Sequence, residues 1–138
     1  LMFLDLDGFK AVNDTLGPGV GDELLILIGR DLHNAVRDSD TVARIGGDEF
    51  AIVLEGIADQ DHLPMLARSL LRMIRSARQI GEHQVFVTSS IGISVYPTDA
   101  LTPGELLKKA DVAMYHAKRN GKDAFCLASS IGSAEATL

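Results

Sequence analysis

Cysteine is almost missing from this 138-residue chain: Cys126 stands alone, which rules out an internal disulfide and suits a reducing compartment. Long apolar runs are missing as well. No stretch approaches the roughly 18 residues that a membrane-crossing helix needs, and no signal peptide is visible. Basic residues are outnumbered, 13 Lys and Arg against 19 Asp and Glu, for a formal net charge of −6. That balance argues against a general nucleic-acid binder, whose phosphate-facing surface must be cationic. It leaves free nucleotides open, since acidic proteins bind them through metal ions. There is no P-loop, no CxxC and no recognisable serine-nucleophile motif. His33, His62, His83 and His116 lack metal-ligand spacing and are expected at the surface. What the chain does have, 46% hydrophobic and 23% charged residues, is the profile of one globular domain with a core of its own.

The stretch from Arg44 to Leu54 is the one around which the rest makes sense. Apolar runs flank Gly46-Gly47, and a Gly-Gly pair between such runs predicts a β-hairpin, because glycine takes positive φ without steric cost. Asp48 and Glu49 follow at once, at the tip of an apolar ribbon. Carboxylates on a rigid ribbon can reach a metal, and bare glycines let a phosphate or base approach the backbone. A solvated turn is the bland alternative.

In chain order, Leu1 to Leu4 reads as a central strand ending in acids, opening with no lead-in, as a fragment of a longer protein would. A short helix follows from Phe9 to about Leu16, and Gly17-Pro18-Gly19-Val20-Gly21 breaks it. Asp22 is expected to cap a long helix reaching about Val36. Thr41 to Ile45 and Phe50 to Leu54 form the hairpin arms. A helix starts at Asp59 or Asp61 with an apolar stripe from Leu63 to Ala77, leaving Arg68, Arg72 and Arg75 as solvated charge. Gly81 to Gln84 is a turn, and alternation over Val85 to Tyr96 predicts one long strand. Thr102-Pro103-Gly104-Glu105 carries a capping box, opening a helix that ends near Lys118-Arg119-Asn120-Gly121. Ala124 to Leu127 is a last strand, and 128–138 a linker or tail. The resulting β-α-α-β-β-α-β-α-β order predicts an α+β domain, an elaborated ferredoxin-like mixed sheet with a hairpin and helices packed around it.

Three constellations could carry chemistry. Asp5 and Asp48 would converge if their strands are neighbours, which suits Mg²⁺ held by one or two carboxylates plus phosphate oxygens. Asp7 could be a ligand or a structural partner. Asn13, Asp14 and Asp22 are helix-cap types, yet an amide with a carboxylate can also read guanine. Lys118 and Lys122 are charges at a helix end, or the neutralising pair of a phosphate site.

Together these residues resemble the GGDEF family, the diguanylate cyclases. The resemblance runs from Leu1 to about Leu127 and rests on Asp5-Leu6-Asp7-Gly8-Phe9-Lys10, Asn13-Asp14, Gly17, Gly21-Asp22, Gly46 to Phe50, Ser90-Ile91-Gly92, Ala110-Asp111, Tyr115 and Ala117-Lys118. It implies that two GTP are joined into cyclic di-GMP with release of pyrophosphate, in the cytoplasm. Asp5, the Leu6 carbonyl and Asp48 would hold Mg²⁺ or Mn²⁺, in a two-metal site, with Glu49 adjacent. Asn13 and Asp22 would read guanine, and Gly46 and Gly47 would leave room for the nucleotide. Lys10 and the backbone near Phe9 would meet phosphates, and Lys118 and Lys122 the terminal one. Each domain would hold one GTP, so catalysis would need a homodimer, and a sensor or phosphodiesterase domain would be attached. Arg37 and Asp40 match the family's RxxD inhibitory site, implying product inhibition. Pro18 stands where the family commonly has His, Lys122 where it has Arg, and the helical lead-in is absent. A silent GTP- or cyclic di-GMP-binding regulator is therefore the alternative reading.

Overall fold

The computed structural model describes residues 1–131. A five-stranded sheet in the order β2-β3-β1-β6-β7 forms its frame. Its strands are β1 (Met2–Asp7), β2 (Thr41–Gly46), β3 (Glu49–Val53), β6 (Thr88–Ile93) and β7 (Ala124–Leu127). All neighbours run antiparallel except β6 and β7, so the sheet is mixed. Four helices pack on it: α1 (Phe9–Leu16), α2 (Pro18–Ala35), α3 (His62–Arg75) and α4 (Pro103–Arg119). The expected mixed α+β architecture is the one observed.

Alternation along the central strand decides what each face carries. Met2, Leu4 and Leu6 of β1, with Phe50, Ile52, Ile91 and Ile93, meet α2 and α3 in the main core. The other face is built differently. Phe3, Asp5 and Asp7 share it with Thr88, Ser90 and Gly92, their partners across the β1–β6 ladder. Small and polar residues there let α4 lie close to the sheet through Ala110 and Met114. One face of the sheet is thus an oily core, and the other holds acids beneath a helix.

Three elements differ from the pattern read in the sequence. β1 extends to Asp7, because hydrogen-bonding partners on β6 make its acids affordable inside the sheet. α2 begins at Pro18, not Asp22. Gly17 (φ 93) is the N-cap, and Pro18 supplies the fixed φ of a first helical residue, so the breaker is one residue long. The expected strand from Val85 to Tyr96 is divided. His83–Val85 (β5) pairs with Arg78–Ile80 (β4) in a separate two-stranded ribbon, turning at Gly81 (φ 59), while β6 belongs to the main sheet. The chain changes sheets at Phe86, which is 65% exposed. Of the expected tail, Ala128–Ser130 forms a 3₁₀ turn beside α4, and 132–138 lies outside the described residues.

Candidate active site

A carboxylate survives in a sheet interior only if something pairs with it. Asp7 is fully engaged. It accepts hydrogen bonds from Thr88 Oγ1 (2.9 Å), Ser90 Oγ (2.9 Å) and the Asp123 N–H (3.1 Å), which makes it a structural partner. Asp5 is engaged on one side alone. Its Oδ2 accepts from Lys118 Nζ of α4, while its Oδ1 is buried and lacks any hydrogen-bond partner.

The hairpin brings two further acids to the same spot. Glu49 faces Asp5 across the β1–β3 ladder, and the Leu6 N–H donates to the Asp48 carbonyl at 3.2 Å. Gly47 (φ 41) makes the turn, and a register shift between Arg44 and Gly46 bends the ribbon. Arg44 Nε donates to the Gly47 carbonyl at 2.9 Å and braces the tip. Asp5, Asp48 and Glu49 therefore converge at the end of β1, with one cation, Lys118, among them.

Their ionisation reflects that crowding. Burial first, then the charge of the neighbouring Asp5 carboxylate, raise the Asp48 carboxyl to about 6. Glu49 is raised by burial and by the charges of Asp5 and Asp111. Burial alone would depress Lys118, but its hydrogen bond to Asp5 and the charges of Asp5, Asp7 and Asp48 override this and raise it. Two observations fit a divalent cation here: the unpartnered Asp5 Oδ1 and the crowding of Asp48 and Glu49 against the Asp5 charge. Among the described residues no three His, Cys, Asp or Glu side chains are set to hold a metal by themselves. Asp5 and Asp48 fit the one or two carboxylates that Mg²⁺ takes, the rest of its shell coming from waters and substrate phosphates.

The expected guanine readers, Asn13 and Asp22, sit on the adjacent helices α1 and α2 and have different surroundings. The Asn13 side chain of α1 lies against Gly21 of α2, where an added Cβ would fall inside 3.0 Å of its Oδ1 and 3.3 Å from the Phe9 ring. Gly21 is buried for that reason, and Asn13 Oδ1 is enclosed without a hydrogen-bond partner. Asp22, next in the helix, is exposed and lines a groove of about 560 Å³ with Arg44 and Phe50. Lys10 is exposed on the first turn of α1, beside the half-buried Phe9. Lys122 is exposed in the turn between α4 and β7.

Arg37 and Asp40 lie elsewhere, at the opposite end of β2 and β3 from the tip. The Asp40 side chain is 2% exposed and accepts from the backbone N–H groups of Arg37 (3.0 Å) and Glu55 (3.1 Å). Arg37 Nε and Nη2 also donate to it at 3.2 Å, and Nη2 reaches the Glu55 carbonyl. Asp40 therefore closes a turn in the fold, while Arg37 is the exposed half of the pair. Asp40→Ala strips two backbone donors of their acceptor and costs about 2 kcal/mol, measurable by urea denaturation. The Arg37 hydrogen bond, outweighing burial, holds the Asp40 carboxyl below its ordinary value. Its stabilisation is thus complete above the ordinary carboxylate pKa and fades as the pH falls through the depressed one, a fade Asp40→Asn abolishes.

Sequence reasoning missed the roles of five residues. Asp111 of α4 lies close enough to Glu49 to influence its charge. Thr88 and Ser90 hold Asp7, and their polar spacing on a face shared with the acids was the available signal. Arg75 and Arg68, read as solvated charge, contact Asp123 (2.9 Å) and the Phe125 ring (5.5 Å) respectively. Only three-dimensional proximity reveals those pairs.

Residues 1–124 match the family model described as "Diguanylate cyclase, GGDEF domain". The chain is 45% identical over 136 residues to the bifunctional diguanylate cyclase/cyclic di-GMP phosphodiesterase MucR of Pseudomonas aeruginosa, covering 99% of the chain and 20% of that protein. It is 39% identical to the diguanylate cyclase TpbB of the same species, covering 88% of the chain and 28% of that protein. The chain thus spans less than a third of the length of either relative. The crystal structure of the GGDEF domain of TpbB superposes with a TM-score of 0.88 at 38% identity, covering 91% of this chain and 79% of that one. An EAL/GGDEF domain protein from M. capsulatus gives 0.85 at 45% identity, covering 91% and 81%.

Proposed function

This chain belongs to the GGDEF family of diguanylate cyclase domains, and we propose on that premise that it condenses two GTP into cyclic di-GMP and pyrophosphate. The observation that carries the reading is the meeting of Asp5, Asp48, Glu49 and Lys118 at the end of β1. A metal-bound triphosphate accounts for three carboxylates gathered there. The motif glycines, Gly46 and Gly47, leave the backbone bare where the nucleotide would lie.

In the proposed complex, Asp5, Asp48 and the Leu6 carbonyl hold Mg²⁺ or Mn²⁺, as one ion or a pair, with Glu49 alongside. Once bound, the ion offsets negative charge on the triphosphate. Asn13 and Asp22 select guanine: the amide meets O6 and N7, and the carboxylate accepts from N1–H and the 2-amino group. Lys10, with backbone near Phe9, steadies the phosphates. Lys118 leaves Asp5 for the terminal phosphate, joined by Lys122. Two domains face each other, each holding one GTP. The 3′-hydroxyl oxygen of one GTP bonds to the α-phosphorus of the other as its O–H bond breaks and the proton passes to solvent, and pyrophosphate departs with the electron pair of the broken P–O bond. Repetition in the opposite sense closes the ring. Positioning and electrostatics supply most of the acceleration.

Arg37 is proposed to bind the product, its guanidinium suiting phosphate and guanine edges. Arg37→Ala then raises the cyclic di-GMP concentration that halves the rate about tenfold, the loss of one charged hydrogen bond, with the product-free rate unchanged. Inhibition curves at fixed GTP read this directly. Cytoplasmic location follows from the GTP requirement. Among the described residues no helix is long and apolar enough to cross a membrane. Relatives such as MucR carry phosphodiesterase activity in their names, which supports an attached sensor or phosphodiesterase domain here. The test of the reading is incubation of the chain, fused to a dimerising segment, with GTP and Mg²⁺, followed by chromatography. Cyclic di-GMP is expected; intact GTP, bound but unchanged, would favour the silent regulator instead.

A further inference from the structure

Between α4 and β7 the chain takes three left-handed residues in succession: Gly121 (φ 116), Lys122 (φ 62) and Asp123 (φ 47). Glycine adopts this region freely and aspartate tolerates it, but lysine does so at a cost that neighbouring structure must offset. The turn is held at three points. The Lys122 N–H donates to the Ala117 carbonyl at 3.1 Å, ending the helix. The Asp123 N–H donates to Asp7 Oδ2 at 3.1 Å. Arg75, the last residue of α3, donates from Nη1 to Asp123 Oδ2 at 2.9 Å.

Those anchors have a direction. Asp7 lies two residues along β1 from Asp5, which pairs with Lys118, so the turn carrying Lys122 is pinned beside the acidic cluster. The Arg75–Asp123 pair is partly exposed, at 53% and 27%, and such pairs add little to global stability. Asp123 also keeps Oδ1 buried without a partner, which costs free energy. A device that stabilises little, costs something and fixes an unfavourable lysine conformation makes sense where that lysine has a task.

We infer that Asp123, gripped by Arg75, is a positioning residue that locks Lys122 in its left-handed conformation and presents its ammonium, beside Lys118, to the terminal phosphates of the substrate. The inference rests on the GTP reading above. Its reach is narrow: it concerns the triphosphate tail and leaves the guanine contacts of Asn13 and Asp22 untouched.

The test compares binding of 3′-deoxy-GTP and 3′-deoxy-GMP, which lack the attacking hydroxyl, to the 138-residue chain with Mg²⁺ by calorimetry. Arg75→Gln and Asp123→Ala are expected to weaken the triphosphate about tenfold and leave the monophosphate unchanged. Asp123→Asn, which keeps both the left-handed tolerance and a side-chain acceptor for Arg75, restores most of the preference. Equal weakening of both ligands, or an unchanged triphosphate preference in the first two variants, overturns the positioning role. A native chain that binds the triphosphate no more tightly than the monophosphate overturns the GTP reading itself, and this inference with it.

Discussion

Asp48→Asn lowers the rate of cyclic di-GMP formation by about a thousandfold or more, the several kcal/mol that a bound metal contributes to a phosphoryl transition state. The substitution keeps the size and hydrogen-bonding capacity of the side chain but removes its charge. Because Asp48 is only partly buried at a turn, and its carbonyl bond to the Leu6 N–H is a backbone one, the hairpin survives. The metal-free protein becomes more stable, since burial and then the charge of Asp5 disfavour ionised Asp48 and raise its pKa to about 6. A rise of a few degrees in the melting temperature without metal is therefore expected alongside the loss of turnover. That opposition of effects distinguishes a residue kept for chemistry from one kept for the fold, and paired rate and thermal-denaturation measurements read it.

Gly92→Ala has the largest expected effect on the fold. A Cβ at this position of β6 would fall inside 3.0 Å of the Ala110 carbonyl oxygen and the Met114 nitrogen, both backbone atoms of α4. A flexible side chain could swing aside; a helix backbone cannot. α4 must lift from the sheet, at a cost of about 3 kcal/mol and a fall in melting temperature of about 10 °C. Because Lys118 rides on α4 and pairs with Asp5, the same shift pulls the cation out of the site, so activity falls more than stability. Gly29 is the control: its added Cβ would meet only the Phe50 ring edge at 3.5 Å, ordinary contact, so Gly29→Ala is expected to be nearly neutral.

Much of this arrangement was legible from residue order. Helical stripes, the capping box at Thr102 and the Gly-Gly turn located most elements, and the structure keeps each. The Thr102 cap accepts from the Glu105 N–H at 3.2 Å, as its spacing predicts. The errors share one cause. Alternation through Phe86 and Val87 continues unbroken in sequence while the chain passes from one sheet to another, and period alone does not say which strand is a neighbour. Asp22 looks like a cap because its type is right, but Pro18 already satisfies the geometry of a helix start four residues earlier. Within the candidate site, residue order names the side chains but does not say which partners each one meets. Asp5 and Asp7 are alike by pattern, yet Thr88, Ser90 and Asp123 claim one carboxylate and leave the other available. Arg37 and Asp40 formed one motif in sequence, and in the fold Asp40 is buried while Arg37 is exposed. Tertiary partners decide such roles, and they come from distant parts of the chain.

The account depends on the end of β1 being a place where two guanine nucleotides are joined. Parallel time courses of cyclic di-GMP and pyrophosphate, followed from GTP and Mg²⁺ with the chain fused to a dimerising segment, measure that directly. Two pyrophosphates released for each cyclic di-GMP formed, and neither product from ATP, is the result predicted. GTP left intact in the presence of native Asp48, in a dimer that binds it, would contradict the claim.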